Sequence, residues 1–243
     1  MRITGGLARG IVLRVPGGDQ VRPATDAMRQ AVFSSLGARV AGATFLDLFA
    51  GAGGYGLEAL SRGAASGVFI EKNAAAAACL RQNLAAVRKS LGSAPPPGGQ
   101  VVRAAPAPDV KTSPAVQMAD RPGAPPDGQA VQEASAAHGN RAAPQRADQP
   151  DVILIEGDAV KGAWPERPPG LVFVDPPYEA IPEVAPHIFA RLAEVYPLAG
   201  DMIVVFEAPG EVVLAPSGWI LKKRLGKGSR QPTASFFRRE LVH

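Results

Sequence analysis

Residues 44–56 read Thr-Phe-Leu-Asp-Leu-Phe-Ala-Gly-Ala-Gly-Gly-Tyr-Gly, an apolar run with one acid that leads into a glycine-rich turn. The run 44–49 predicts a buried strand, and the glycines predict a tight loop that opens a helix over 57–60. The next apolar run, 67–70, predicts a second strand that ends at Glu71. Strand, glycine loop, helix, strand and acid in this order indicate the opening of a doubly wound α/β domain.

The same alternation continues downstream. Long helices are predicted near 73–91 and 183–195, where apolar residues recur at helical spacing. Further strands are predicted at 152–155, 171–174 and 202–206, followed by an antiparallel pair at 219–225 and 234–241. We therefore predict a Rossmann-like, doubly wound α/β sheet of about seven strands, with ligands at the carboxyl ends of the strands.

Residues 1–40 predict a small basic extension that precedes the main domain, 41–243. Residues 2–15 favour a β-hairpin or two short strands, and Thr25 or Asp26 is expected to cap a following helix. The buried stripe of that helix is expected to contain Met28, Val32, Phe33 and Leu36. Arg22 and Arg29 lie off this stripe, so both are predicted to face solvent or a ligand.

The segment 92–150 differs in composition from the rest of the chain. It contains no Leu, Ile or aromatic residue, it is dense in Ala and Pro, and its charges balance. Such a segment cannot bury enough apolar surface to offset the entropy lost on ordering. We expect a disordered insertion within the main domain.

Composition narrows the class of protein. The 243 residues include one cysteine and three scattered histidines, which argues against a disulfide framework and against a metal site. No apolar run approaches membrane-spanning length, and the N-terminus starts no apolar signal core. We expect a cytoplasmic, monomeric protein that contacts neither membrane nor metal.

Charge is distributed unevenly along the chain. Residues 1–40 carry six arginines against two acids, and residues 216–243 carry seven basic residues against one acid. Residues 151–215, in contrast, carry three basic residues and eleven acids. Basic ends that meet on one face would form a surface for nucleic-acid phosphates.

The glycine loop by itself leaves two ligand classes open. Gly51, Gly53 and Gly56 match the dinucleotide fingerprint, and Glu71 follows at the distance typical of an NAD site. Asp47, however, precedes the loop within the strand, where its charge would repel a pyrophosphate and attract an ammonium or a sulfonium. With Asp158 after the third predicted strand, able to bind an adenine amino group, the pattern favours S-adenosylmethionine.

The sequence Asp175-Pro176-Pro177-Tyr178 closes the predicted strand 171–174. Two prolines make this turn stiff and remove two backbone donors. Acceptors from Asp175 and Pro176 could bind the hydrogens of an exocyclic NH2 on a nucleobase, and Tyr178 could stack on the ring. The alternative is a proline turn that has only a structural role.

Outside 92–150 the chain resembles the bacterial 16S rRNA guanine-N2 methyltransferases. The motifs that carry the resemblance are Arg2-Ile3-x-Gly5-Gly6, Arg9-Gly10, Arg22-Pro23-x-Thr25-Asp26, Arg29, Phe33, Asp47-Leu48-Phe49-Ala50-Gly51, Gly56-Leu57-Glu58-Ala59-Leu60-Ser61-Arg62-Gly63, Gly157-Asp158-Ala159 and Asp175-Pro176-Pro177-Tyr178. The chain departs from that pattern at Gln30, Ser34, Gly54-Tyr55 and Leu225.

The resemblance implies methyl transfer from S-adenosylmethionine to N2 of a guanine, guanine 966, in 16S rRNA or the assembling 30S subunit. Catalysis is then expected from Asp175, Pro176, Pro177 and Tyr178. The cofactor is expected at Asp47, Phe49, Ala50, Gly51, Gly53, Glu71, Lys72, Asp158 and Ala159. RNA is expected at Arg2, Arg9, Arg22, Arg29, Lys222, Lys223, Arg224 and Lys227.

Three alternatives stay open at this point. A DNA adenine-N6 methyltransferase would use the same Asp-Pro-Pro-Tyr motif, although the sequence offers no separate target-recognition domain. A non-catalytic RNA-binding assembly factor could retain the cofactor pocket. An NAD enzyme would use the glycine loop.

Overall fold

The computed structural model describes residues 1–17, 25–92, 101–103, 151–226, 228 and 231–240. They lie in one compact unit, composed of residues 1–107 and 149–243. A second unit, 108–148, lies outside the described residues, as do Arg22, Lys227 and most of the predicted insertion.

The described residues of this unit form four helices and eight strands. The helices are α1 (Asp26–Leu36), α2 (Gly54–Ser61), α3 (Ala74–Ser90) and α4 (Ile181–Val195). The strands are β1 (Thr44–Leu48), β2 (Ser66–Glu71), β3 (Val101–Arg103), β4 (Asp151–Glu156), β5 (Leu171–Val174), β6 (Ile203–Pro209), β7 (Trp219–Leu225) and β8 (Pro232–Arg239). Short 3-10 helices cover Gly37–Arg39 and Tyr178–Ala180.

The strands form a single sheet in the order β3-β4-β2-β1-β5-β6-β8-β7. The first six strands in this order, from β3 through β1 to β6, pair in parallel. Strand β8 pairs antiparallel with both β6 and β7. The chain leaves β1 toward β2 on one side and returns to β5 on the other. A crevice therefore opens at the carboxyl ends of β1 and β5, where doubly wound sheets bind ligands.

The seven predicted strands and the doubly wound α/β fold are confirmed. The eighth strand, β3, corrects the prediction for 92–150, because residues 101–103 pair with β4 inside the segment that was expected to lack structure. Two valines in this triplet favour a strand, but three residues are too few to give a sequence signal.

The N-terminal segment packs onto the main sheet domain as a hairpin. Its two arms exchange hydrogen bonds from Ile3 N to Ile11 O at 2.9 Å and from Leu13 N to Met1 O at 3.0 Å. Glu58, which is fully buried in α2, accepts from both the backbone and the hydroxyl of Thr4 at 2.7 Å. The hairpin is therefore held by a buried carboxylate as well as by its apolar side chains.

The two faces of the sheet carry separate aromatic clusters. Under α1 to α3, Phe173 packs against Phe33, with ring centroids 5.6 Å apart. On the opposite face, Phe189 of α4 lies 5.8 Å from Phe206 and 5.0 Å from Phe237. Burial on both faces explains why the parallel strands are almost continuously apolar.

We expect Phe189→Ala to lower the free energy of unfolding by about 3–5 kcal/mol, because it leaves a cavity among buried rings. Urea denaturation measures this loss. Leu198→Ala is the control, since that side chain is 93% exposed and its truncation should change stability little. A loss below about 1 kcal/mol for Phe189→Ala would contradict the described packing.

Candidate active site

A pocket of about 900 Å³ opens at the carboxyl ends of β1, β2, β4 and β5. Its walls come from the loop after β1, the ends of β2 and β4, the segment after β5 and the N-terminal hairpin. The lining includes Met1, Val15, Asp47, Phe49, Ala50, Gly51, Tyr55, Glu71, Lys72, Gly157, Ala159, Asp175, Pro176, Pro177 and Tyr178. The pocket thus brings together most of the residues that the sequence assigns to cofactor and target base.

The loop after β1 turns through left-handed backbone angles. Phe49 has a φ of 59°, the only non-glycine residue with positive φ among those described, and Gly51 has a φ of 56°. Gly53, with a φ of 90°, caps α2, and a Cβ there would meet Leu80 at 2.3 Å. Gly53 is not among the residues that line the pocket, and it lies where α2 packs closely on α3. Its cofactor contact stays a prediction.

Asp47 is buried in β1, directly beneath this loop. Its Oδ2 accepts from the backbone N–H of Gly56 at 2.8 Å. Burial raises the pKa of Asp47 to about 7, and the nearby charge of Glu71 adds to the rise, whereas the Gly56 hydrogen bond opposes it. A cation entering the pocket would favour the ionised form of this carboxylate.

Glu71 ends β2 and fastens the glycine loop to the start of α3. Its two carboxylate oxygens accept from the backbone N–H groups of Gly51 and Asn73, each at 2.7 Å. Each oxygen can still accept a second hydrogen bond, because an ionised carboxylate offers about four acceptor positions. Glu71 is therefore both a structural link and an acceptor at the pocket wall.

Asp158 is placed differently from its neighbours. Its Oδ1 accepts from the backbone N–H groups of Val160 at 2.8 Å and Lys161 at 3.1 Å, which closes a local turn. Gly157 and Ala159 line the pocket, whereas Asp158 is absent from the lining residues. The segment therefore reaches the pocket as predicted. The hydrogen bonds of Asp158 itself stabilise the loop.

The segment Asp175-Pro176-Pro177-Tyr178 forms the wall opposite the glycine loop. Pro176 is buried and Pro177 is exposed, and the carbonyl of Pro177 accepts from Ala180 N at 2.9 Å to start a 3-10 turn. Burial raises the pKa of Asp175 well above its usual range, and the charges of Glu207 and Asp47 raise it further. Arg29 acts in the opposite direction.

A buried cluster beneath Asp175 was missed by sequence reasoning. Tyr55 donates to Glu207 Oε2 at 2.6 Å, and both side chains are less than 5% exposed. Glu207 follows an apolar run in β6 just as Asp175 follows one in β5, and that repeated pattern was a usable signal. Burial raises the pKa of Glu207, while the Tyr55 hydrogen bond and Arg29 lower it.

The prediction that Arg29 faces solvent or RNA is wrong. Its side chain is 0% exposed, and its guanidinium donates to Asp26 Oδ1 at 2.6 Å and to the carbonyl of Arg2. One turn of helix separates Arg29 from Val32 and Phe33, so it shares their buried face rather than the polar one. Arg29 joins α1 to the N-terminal hairpin.

The other predicted RNA contacts lie mostly at the surface. Arg9, Lys222 and Lys223 are exposed, and Arg2 is exposed while paired with Asp26. Arg224 instead donates to the carbonyls of Gly210 at 2.6 Å and Val212 at 3.0 Å, so its charge holds the loop after β6. Arg22 and Lys227 lie outside the described residues.

No group of three or more His, Cys, Asp or Glu side chains among the described residues is arranged to hold a metal ion. None of the helices in the described part of the chain has the length and apolar character that crossing a bilayer requires.

The strand order and the pocket at the carboxyl edge define a doubly wound, Rossmann-like α/β fold. A solved structure from Escherichia coli, described as a candidate methyltransferase, superposes with a TM-score of 0.62 at 23% identity, covering 99% of this chain and 98% of that one. Residues 1–95 match the family model described as Conserved hypothetical protein 95.

Curated relatives match about a third of the chain. Ribosomal RNA small subunit methyltransferase D of Escherichia coli K12 is 44% identical over 88 residues, which cover 36% of this chain and 44% of that protein. The Haemophilus influenzae protein of the same name is 37% identical over 90 residues, covering 37% and 47%. The match spans less than half of each relative. The resemblance to small-subunit rRNA methyltransferases is thereby confirmed.

We expect Asp47→Asn to stabilise the protein increasingly as pH rises from about 4 to 7. The folded pKa of about 7 exceeds the ordinary 3.8, so in this window the unfolded chain releases a proton that the folded chain keeps, and wild-type stability falls. The gain at pH 8 should be roughly 1–3 kcal/mol.

Urea denaturation of both proteins at several pH values measures the difference. A difference in unfolding free energy that stays constant with pH would show that Asp47 does not titrate as described.

Proposed function

We propose that this protein transfers a methyl group from S-adenosylmethionine to the exocyclic N2 of a guanine in 16S rRNA. The observation that carries the proposal is the meeting of Asp47, Glu71 and Asp175 around one pocket of about 900 Å³. A pyrophosphate would be repelled by Asp47, so the NAD alternative is disfavoured. The names of the curated relatives support rRNA as the substrate.

The residues present fit S-adenosylmethionine. Glu71 offers acceptors at the end of β2 for the two ribose hydroxyls, and the buried Asp47 offers negative charge to the cationic methionine part. The loop containing Gly157 and Ala159 would take the adenine. When bound, S-adenosylmethionine supplies the methyl group from a sulfonium, whose sulfur keeps the electron pair of the broken bond.

The target base is then held by the segment after β5. Asp175 and the Pro176 carbonyl accept the hydrogens of the amine, which directs its nitrogen toward the methyl group. Tyr178 stacks on the base, and this contact contributes about 1–3 kcal/mol toward the cost of flipping it out of its helix. Asp175 also takes the proton that the amine loses.

The two basic ends of the chain support RNA binding next to the pocket. Lys223 Nζ donates to Ser35 Oγ at 2.9 Å, so β7 lies against α1 although 188 positions separate the two residues. The exposed Lys223 therefore shares a surface with the N-terminal extension, and Met1 of that extension lines the pocket. Phosphates bound there would bring a flanking base to Asp175.

The resemblance supports a narrower target. It implies guanine 966 and an assembling 30S subunit, and the acceptors at Asp175 suit the two hydrogens of an exocyclic amine. Incubation of the protein with labelled S-adenosylmethionine and either deproteinised 16S rRNA or 30S particles, followed by mapping of the modified base, tests each part. Labelled N6-methyladenine in DNA would instead favour the DNA enzyme.

We expect Asp175→Asn to separate binding from chemistry. Loss of one well-placed charged acceptor should slow single-turnover methyl transfer by about 100-fold or more, while the affinities for cofactor and RNA stay near wild type. Asp151→Asn, an exposed acid at the start of β4, is the control and should transfer normally. Near-normal transfer by Asp175→Asn would show that the segment 175–178 has only a structural role.

We expect the double variant Lys222→Gln, Lys223→Gln to weaken RNA binding and to reduce its salt dependence. Each lost phosphate contact lowers the slope of log affinity against log salt by about 0.7–0.9. A charge-matched control is Lys89→Gln with Lys161→Gln, at exposed positions on α3 and after β4. Equal slopes for the two double variants would show that RNA phosphates do not contact Lys222 and Lys223.

A further inference from the structure

The hydrogen-bonded pair Tyr55 and Glu207 lies next to the proposed catalytic carboxylate and has no part in the function described so far. Parallel pairing of β5 and β6 sets Val174 opposite Phe206, so Asp175 and Glu207 occupy the next register position. Adjacent strands lie about 4.8 Å apart. Phe173 and Val205 both face the α1–α3 side, and side chains alternate, so Asp175 and Glu207 share that side as well.

The two carboxylates differ in their partners. Glu207 is 3% exposed and accepts the Tyr55 hydroxyl at 2.6 Å, which favours its ionised form. Tyr55 is fixed in turn, because its ring stacks on Phe173 with centroids 5.3 Å apart and an interplanar angle of 15°. Burial raises the pKa of Glu207, and the Tyr55 hydrogen bond opposes that rise. The hydrogen bond thus favours a charge on Glu207 that increases the proton affinity of Asp175.

We propose that Tyr55 and Glu207 are positioning residues that act through Asp175, making it a stronger acceptor for the proton released in methyl transfer. This proposal rests on the proposed function. The amine nitrogen forms a bond to the methyl carbon as the carbon–sulfur bond breaks, and the electron pair goes to sulfur. The nitrogen then gives one proton to the Asp175 carboxylate, which passes it to water.

Several groups besides Glu207 influence Asp175. The titratable and charged residues that face or follow it are Asp47 from β1, Tyr55 from α2, Arg29 from α1, and Tyr178 and Glu179 in its own segment. Asp47 raises the proton affinity of Asp175 and Arg29 lowers it. Glu207→Gln and Tyr55→Phe leave both of these residues in place. Tyr55 was also a position where the chain departs from the family pattern.

The test compares pH profiles of single-turnover methyl transfer to 16S rRNA. Activity should rise with pH as Asp175 ionises, which gives the profile an acidic limb. Glu207→Gln should move this limb to lower pH by about one unit, because it removes a like charge next to Asp175. Tyr55→Phe keeps the ring stack but removes the hydrogen bond that favours the ionised form of Glu207. Glu207 is then protonated more easily and loses its charge, so the limb should shift in the same direction. Tyr196→Phe is the control.

Tyr196 suits this purpose because it is equally buried, donates to the carbonyl of Pro165 at 2.6 Å and lies on the opposite face of the sheet. Its removal should leave the profile unchanged. Limbs that coincide for wild type, Glu207→Gln and Tyr55→Phe would overturn the proposal, as would an equal shift in Tyr196→Phe. Should Glu207→Gln fail to fold, Tyr55→Phe decides alone.

A second readout separates failure of this proposal from failure of the proposed function. Carbon-13 NMR of aspartate carboxyls in the ligand-free protein, with the Asp175 signal assigned by its loss in Asp175→Asn, follows the titration without any substrate. A lower midpoint in Glu207→Gln supports the coupling even if wild type methylates no RNA. An unchanged midpoint refutes the coupling even if wild type is active.

Discussion

Parallel strand pairing brings three carboxylates, two of them buried, to one edge of the sheet. The rest of the site depends on how their charges are accommodated. Asp47, Asp175 and Glu207 each end or lie near the end of a strand, on the same side of the sheet. Like charges in a water-poor setting raise one another's pKa values. Donors at Gly56 and Tyr55 offset part of that cost, and a cationic ligand would offset more.

The N-terminal hairpin belongs to this arrangement rather than standing apart from it. Its backbone is fixed by Glu58 and Ser61 of α2, so it lies beside the helix that follows the glycine loop. Met1 and Val15 then complete the pocket wall. Binding of RNA to the basic extension would therefore act on residues that already line the site.

The sequence predicts the elements well where a long periodic pattern exists. Apart from β3, the order of strands and helices from β1 to β8, a cap at Thr25 or Asp26 and the antiparallel β7–β8 pair were expected, because apolar runs and caps are local signals. Strand β3 could not be predicted, since three residues carry no periodicity. Its pairing with β4 depends on the sheet already being formed.

Site residues were harder to predict when their role depends on partners distant in sequence. Arg29 looked like a surface cation because helical spacing alone does not show that the Arg2 carbonyl and Asp26 satisfy its charge. Gly53 matched a ligand fingerprint, yet contact with Leu80 requires the glycine. The Tyr55–Glu207 bond joins residues 152 positions apart, which no local motif reveals.

A crystal structure of this protein grown with S-adenosylhomocysteine tests the central claim most directly. The account predicts the ligand in the pocket at the carboxyl edge, with its ribose hydroxyls on Glu71, its amino acid end near Asp47 and its sulfur directed toward Asp175 and Tyr178. A ligand bound elsewhere, or a pocket in which Glu71 and Asp47 make no contact with it, would contradict the account.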